Sequence, residues 1–368
     1  MRILRKIILL TVITIPFISL LFSCSPHIGS SSTQPLVIYP APPDTTRVQF
    51  LKKFSTSSDA GKGRSAFLRF ILGAPDVIEI GKPYGLAIYN GKLFICETFK
   101  HGFDVFDLKK RSFSEFIPTG KGALKVPINC CFDKRGYLYV ADSERKQIVI
   151  FDEKGNYVTS FGEQEKFKPT DVFVTDGKIW VCNLAGNQIN VYDSSYTLVK
   201  QFPPADTTGS ARLYSPINIF VTDSNVFVTD IGDFRIKIFD KSGVLKDTLG
   251  SYGKNLGQFT RPKGIAIDKE SNLYVVDAGF ENVQIFNKDR KLLMYFGGSY
   301  KGPGDMWLPA KIIIDYDNLE YFQKYVDPGF TLKYLIFVTN QYGPDKVNVY
   351  GRVTPKTPDQ LLKEKQVK

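Results

Sequence analysis

The 368-residue chain contains only two histidines, His27 and His101. A catalytic metal held by several histidines therefore cannot be assembled from it. A Ser-His-Asp triad would have to use His101, which lies in a Lys-His-Gly turn, because His27 lies in a stretch rich in serine and proline. We expect His101 to be a solvent-exposed loop residue. We also expect no catalytic residue of either kind and no bound metal.

Cysteine is scarce too, with five residues and no Cys-x-x-Cys pair. This absence excludes a zinc knuckle and a covalent haem attachment site. Four of the cysteines lie inside apolar stretches rather than in the spaced loop pattern of a disulfide-stapled fold. We expect buried free thiols at these four positions, namely Cys96, Cys130, Cys131 and Cys182.

A single uncharged apolar run, residues 7–22, follows a basic start that contains Arg2, Arg5 and Lys6. Its sixteen residues are short for a membrane-spanning helix, which needs about 20, and the pattern is typical of an export signal. The run ends at Leu21-Phe22-Ser23-Cys24, which resembles a bacterial lipobox. The alternatives are an ordinary cleavage site beside an unrelated cysteine and an uncleaved signal anchor. The sequence predicts a lipoprotein signal peptide at residues 1–23 and lipidation of Cys24, with membrane attachment through the acyl chains.

The net charge is +11, and removal of the three basic residues of the signal peptide leaves +8. A basic surface favours acidic glycans or anionic lipid headgroups, while simple solvation is the alternative. Export disfavours nucleic acid as a partner. We expect a location in the cell envelope, and in the outer membrane of a cell with two membranes, because Ser25 follows the cysteine.

Residues 24–45 are rich in serine and proline, so we interpret them as a tether. Beyond them the chain repeats itself. A proline followed by an apolar strand recurs six times, at intervals of 44, 42, 47, 46 and 47 residues. The repeated prolines are Pro83, Pro127, Pro169, Pro216, Pro262 and Pro309.

A second strand in each repeat ends in an acidic or amide residue, and an aromatic residue of a third strand follows 9, 9, 9, 9, 9 and 10 positions later. A fourth strand follows in five repeats. The sixth repeat lacks one, and the alternating pattern of residues 47–54 predicts that an N-terminal strand replaces it. The sequence therefore predicts an all-β, six-bladed β-propeller over residues 46–353, closed by an N-terminal strand, with a charged tail at 354–368.

Two of the repeats resemble the NHL repeat. One runs from Val140-Ala141-Asp142 through Phe151-Asp152, and the other runs from Val228-Thr229-Asp230 through Phe239-Asp240 and includes Arg235. With the lipobox, the whole chain is similar to bacterial NHL-repeat lipoproteins. The resemblance implies a propeller of NHL type and a lipid anchor, and it implies no particular reaction.

The residues that end the second strands are expected to surround one mouth of the channel. They offer oxygen ligands to a cation such as Ca²⁺, or each accepts hydrogen bonds from the backbone of its own turn. The six candidates are Glu97, Asp142, Asn183, Asp230, Asp277 and Asn340.

The sixth repeat is interrupted by an aromatic insertion at residues 315–334. Its Tyr321, Phe322, Tyr325 and Phe330 form either an exposed partner surface or local core. Residues 64–72, with Phe67 and Arg69, also fit a short amphipathic helix.

These features favour a binding or scaffolding propeller, monomeric and tethered by lipid, that presents one rim to a protein or glycan partner. The alternative is a calcium-dependent lactonase or esterase that uses the carboxylates at the channel mouth.

Overall fold

The computed structural model describes residues 36–61, 76–162 and 165–366, with side chains described to residue 362. The predicted signal peptide, Cys24 and the predicted amphipathic helix lie outside these ranges. The described residues from Leu36 onward form one compact unit. No helix within the described ranges is long and apolar enough to cross a membrane.

Each of the first three blades is a four-stranded antiparallel sheet. Blade one contains β3 (Pro83–Tyr89), β4 (Lys92–Glu97), β5 (Gly102–Asp107) and β6 (Ser112–Phe116). Blade two contains β7 (Pro127–Phe132), β8 (Leu138–Asp142), β9 (Gln147–Phe151) and β10 (Tyr157–Gly162). Blade three contains β11 (Pro169–Thr175), β12 (Lys178–Asn183), β13 (Gln188–Tyr192) and β14 (Leu198–Phe202).

Blades four and five repeat this arrangement, whereas blade six draws strands from both ends of the chain. Blade four contains β15 (Pro216–Val221), β16 (Asn225–Asp230), β17 (Arg235–Asp240) and β18 (Leu245–Leu249). Blade five contains β19 (Pro262–Ile267), β20 (Leu273–Asp277), β21 (Asn282–Phe286) and β22 (Leu292–Gly297). Blade six contains β23 (Pro309–Asp315), β24 (Phe330–Asn340), β25 (Val347–Pro355), β2 (Val48–Phe54) and β1 (Ile38–Tyr39).

Little of the described chain is helical. The helix α1 (Pro358–Gln366) lies in the predicted charged tail. The short 3₁₀ helices are Ser57–Ala60, Gly120–Gly122, Gly209–Ala211, Leu319–Tyr321 and Gln323–Tyr325.

The first strands of the blades form the inner wall of the ring. Each contacts the first strand of the next blade, from β3 through β7, β11, β15 and β19 to β23, and β23 contacts β3 again. Apolar side chains fill the wedges between neighbouring blades. Val140 and Val149 of blade two, for example, pack with Cys96 and Phe103 of blade one. The predicted fold class, an all-β six-bladed propeller, is confirmed.

The N-terminal strand closes the ring as the sequence predicts. Strand β2 pairs antiparallel with β25, with Phe50 opposite Tyr350 and Phe54 opposite Val347. Strand β1 lies within the predicted tether and extends this sheet by pairing antiparallel with β2, with Tyr39 opposite Val48. The Tyr39 hydroxyl also donates to the Gly304 carbonyl at 3.0 Å. Strand β25 likewise continues to Pro355, past the predicted end of the propeller.

The tight turns explain why the strands pair in this register. In blade one the turn between β3 and β4 has φ of 47° at Asn90 and 72° at Gly91. Two consecutive positive φ angles are the geometry of a two-residue hairpin, which Asn-Gly adopts at low cost. Blade three repeats it with Asp176 and Gly177.

We predict that Phe50→Ala destabilises the ring by about 3–5 kcal/mol, the usual cost of truncating a buried phenylalanine. The Phe50 side chain is 6% exposed and its ring centroid lies 5.6 Å from that of Tyr350. Urea unfolding followed by circular dichroism measures the change, with Val199→Ala on the outer strand β14 as the control. Equal unfolding midpoints for the two variants would show that β2 does not stabilise the ring.

Candidate functional site

The two faces of the ring carry different loops. Each first strand begins, and each second strand ends, at the same face, because Pro83 pairs with Glu97 and Pro127 with Asp142. We call this the inter-blade face, since the loops between successive blades lie there. The opposite face carries the turns between first and second strands, and we call it the hairpin face.

The six residues that end the second strands lie on the inter-blade face, and each is at most 2% exposed. Each bonds to the loop that leads into its own blade. Asp277 accepts backbone N–H groups from Thr260 at 2.8 Å, Arg261 at 3.0 Å and Gly279 at 2.7 Å. Asp142 accepts Val126 N–H at 2.9 Å in the same way. The side chains therefore anchor the loops to the blades.

The amide members of the set act similarly. Asn183 accepts Lys168 N–H at 3.0 Å, and Asn340 accepts Trp307 N–H at 3.3 Å. Asp230 accepts Ser215 N–H at 2.8 Å. Backbone donors thus occupy oxygens that a cation would need. Across residues 36–61, 76–162 and 165–366, no group of three or more His, Cys, Asp or Glu is placed to hold a metal.

Glu97 departs from this pattern. Its longer side chain accepts one backbone N–H, from Lys82 at 3.1 Å, while its second oxygen is buried without a hydrogen-bond partner. Burial, with a smaller contribution from the nearby Asp104 carboxylate, raises the pKa of Glu97 to about 7. The folded protein therefore favours the protonated carboxyl group.

Three exposed aromatic side chains and the half-buried Lys82 form a patch on the inter-blade face, where blades one and six meet. The Lys82 ammonium lies 5.4 Å from the ring centre of Phe99 and 5.3 Å from that of Tyr342. Trp307 neighbours Tyr342 through a backbone hydrogen bond and stacks on Tyr300, with centroids 6.3 Å apart. Phe99, Tyr342 and Trp307 are 70%, 46% and 47% exposed. We call Lys82, Phe99, Trp307 and Tyr342 the rim patch.

Sequence reasoning missed the rim patch. Its members belong to loops outside the repeated strand pattern, and only ring closure brings blade six beside blade one. A usable indication was available at Phe99, because a large aromatic residue in a short turn between polar residues is unusual for a solvated loop.

A second cationic feature continues from the rim patch toward the channel. The Lys263 side chain is 4% exposed, and its ammonium lies 4.9 Å from the ring centre of Tyr84. Burial, and then the positive charges of Arg261 and Lys82, lower the pKa of Lys263 to about 7. Within the described ranges no acidic side chain forms an ion pair with these three cations.

The channel itself is crossed by an ion pair. Lys311 of blade six donates to Asp171 of the opposite blade three at 2.6 Å and to Asn218 of blade four at 3.1 Å. Asp171 also accepts Ile219 N–H at 3.0 Å. Burial raises the pKa of Asp171 even though Lys311 opposes the shift. These side chains obstruct the channel between its two ends.

The insertion of blade six forms two 3₁₀ helices and packs between blades six and one. Phe322 is 1% exposed and contacts Phe54 and Phe337, so it belongs to the core and not to an exposed partner surface. Tyr321, Tyr325 and Phe330 are half-buried against the same cluster. The insertion is therefore part of the local core. Its apolar side chains are shielded from water because they pack in the wedge between blades six and one.

The remaining candidates lie apart. Cys96, Cys130, Cys131 and Cys182 are free thiols, and Cys131 alone among these four is only half-buried. Exposed His101 directs its Nδ1 to the Lys125 carbonyl.

Comparison with known proteins agrees with this architecture. A family model described as a 6-bladed beta-propeller matches residues 174–288. No curated protein sequence matches the chain. The fold and this match define the class of the chain as a six-bladed β-propeller.

Solved structures extend the likeness over most of the ring. Streptogramin B lyase is similar with a TM-score of 0.53 at 14% identity, covering 83% of this chain and 97% of that one. A protein of unknown function from Bacteroides thetaiotaomicron has a TM-score of 0.57 at 13% identity, covering 75% and 70%. A gluconolactonase from Xanthomonas campestris has a TM-score of 0.51 at 14% identity, covering 85% and 99%. At these identities the likeness shows the fold alone.

We predict that Glu97→Gln raises stability at pH 8 by about 1–3 kcal/mol, since one pKa unit is worth about 1.4 kcal/mol. The raised pKa means that the folded state holds its proton where the unfolded chain has lost it, so wild-type stability falls as the pH rises from about 4.5 toward 7. The variant should match the wild type near pH 4. Urea unfolding between pH 4 and 8 measures this, with exposed Glu153→Gln as the control. A pH-independent difference would contradict the assignment.

Proposed function

We propose that the chain is an exported, lipid-anchored binding propeller of NHL type in the cell envelope, and that its inter-blade face binds an acidic glycan. The observation that carries the proposal is the rim patch, where a lysine lies between two exposed aromatic rings and an exposed tryptophan stands beside them.

The aromatic members suit a saccharide. Tryptophan and tyrosine offer a broad apolar face together with a polar atom, so they pack against apolar surface while remaining partly hydrated. Exposed aromatic clusters are also uncommon on a solvated surface without a partner. Gly343 lies against the Trp307 side chain, which helps to hold this ring in place at the surface.

The cations suit an acidic ligand. Lys82 belongs to the patch, and Arg261 and Lys263 lie on its channel side. Burial lowers the pKa of Lys263, and the positive charges of Arg261 and Lys82 lower it further. A carboxylate placed among them would relieve their mutual repulsion and gain charge-assisted hydrogen bonds. The net charge of +8 without the signal peptide supports the same choice of partner.

We predict that polygalacturonate binds the segment 36–368 and that binding weakens as salt rises, because surface charges are screened. Trp307→Ala and Arg261→Ala should each weaken binding at least about tenfold, a loss of about 1.4 kcal/mol. Affinity electrophoresis against polygalacturonate and neutral dextran measures this. Tyr295→Ala, which removes an exposed ring from the outer strand β22, is the control.

Two results would contradict this proposal. Equal retention by dextran and polygalacturonate would remove the role of charge, and unchanged binding by Trp307→Ala would remove the role of the patch. Absence of glycan binding, together with capture of a protein that Trp307→Ala fails to capture, would favour the protein partner instead.

The anchor is supported by the basic start, the apolar run and the tetrapeptide Leu21-Phe22-Ser23-Cys24. We predict that Cys24→Ser removes incorporation of an alkyne-labelled fatty acid and moves the protein from the membrane fraction to the soluble fraction. Cys131→Ser is the control and should retain both properties. Label on the Cys24→Ser variant would contradict lipidation at this residue.

A further inference from the structure

The channel contains a cavity that is separate from the rim patch. Its volume is about 450 Å³, and all six first strands contribute to its wall. The lining residues come from the later part of each strand and from the turn that follows, so the cavity opens at the hairpin face. The rim patch lies at the other face.

The wall of this cavity is apolar. Half-buried aliphatic or aromatic side chains from all six blades are among the residues that line it: Ile88, Phe132, Phe173, Phe220, Ile267 and Ile314. These side chains also pack against the apolar clusters between the blades, and each keeps part of its surface toward the cavity. A concave, mostly apolar cavity of 300–1,000 Å³ is the usual form of a small-molecule site.

The inner end of the cavity is closed. Lys311 lines it, and the ammonium of Lys311 is held by Asp171 at 2.6 Å and Asn218 at 3.1 Å. A ligand that enters from the hairpin face therefore meets the aliphatic stem of Lys311 and cannot pass through to the rim patch. The site has one mouth.

The dimensions select a narrow ligand. The lining spans two to four residues of each first strand, so its depth along the strands reaches about 13 Å at about 3.3 Å per residue. A volume of 450 Å³ over that depth corresponds to a mean width of about 6–7 Å. One water occupies about 30 Å³ of liquid, so about fifteen atoms of that size fit the cavity. A single extended acyl chain meets these limits.

The mouth carries two lysines. Lys134 lines it, and the Lys269 ammonium lies 4.1 Å from the ring centre of Tyr316, another lining residue. Asp133 also lines the cavity, and its carboxylate is bound by Arg135 at 2.8 Å. We propose that the cavity binds a single-chain amphiphile, with its acyl chain in the channel and its anionic head at the hairpin face.

We predict that dodecanoate binds the segment 36–368, which contains the closed ring, with one-to-one stoichiometry and a negative heat-capacity change from apolar burial. Cys131→Phe places a ring in the cavity at a position where blades three and four already carry Phe173 and Phe220. It should weaken binding at least about tenfold, as measured by isothermal titration calorimetry. Val158→Phe, on the outer strand of the same blade, is the matched control.

A second measurement keeps the test valid if Cys131→Phe fails to fold. Dodecanoate should slow the conversion of Cys131 to its methyl disulfide by methyl methanethiosulfonate, which releases methanesulfinate, several-fold in the wild-type segment, as measured by peptide mapping. Absence of heat and absence of protection, or equal binding by Cys131→Phe and the wild type, would overturn the proposal. Binding to phosphatidylcholine vesicles that is lost in Cys131→Phe would identify a membrane lipid as the source of the chain. Trp307→Ala should leave dodecanoate binding unchanged, which separates this site from the glycan proposal.

Discussion

The pairing of β2 with β25 is the interaction on which the rest of the ring depends. Five blades take their four strands from consecutive sequence, and the sixth is complete only when residues 48–54 return to it. Without that pairing, β25 would present an open row of backbone donors and acceptors. Closure also brings blade six beside blade one, and both the rim patch and the packing of the insertion arise at that junction. Closure across this sequence separation is entropically expensive, so buried contacts such as Phe50 against Tyr350 are needed to sustain it.

The polar residues that recur in every blade and those that break the repeat have different uses. Asp142, Asp230 and Asp277 satisfy the backbone donors of the loops that lead into their blades, and this need is the same in each repeat. Residues that depart from the repeat are informative because this shared need does not explain them. Glu97 retains an unpartnered oxygen, and Lys263 has no acidic partner within the described ranges. Loop anchoring requires neither feature, so sites are better sought at such positions than in the repeated motif.

The buried pair of Lys311 and Asp171 divides the channel into two environments. Toward the inter-blade face the surroundings are cationic and aromatic, and toward the hairpin face they are apolar. A buried ion pair adds little net stability, because desolvation of the two charges offsets their attraction. Its position across the ring instead gives the two ends of the channel different chemistry. One propeller can then present two unlike surfaces without a change in its strands.

The sequence by itself determined the blades. Pro-initiated strands, Asn-Gly and Asp-Gly turns and the nine-residue spacing from strand end to aromatic are local patterns, and local patterns are set by residues near one another in the chain. The alternating residues 47–54 even predicted the closing strand. The location of the candidate sites was decided by tertiary structure alone. Lys82 lies beside Tyr342, and Lys311 beside Asp171, only because the ring joins distant strands. The same ring closure buries Phe322 in a wedge, which the composition of the insertion left undecided. Side chains separated by more than a hundred residues acquire a common environment only when the chain folds.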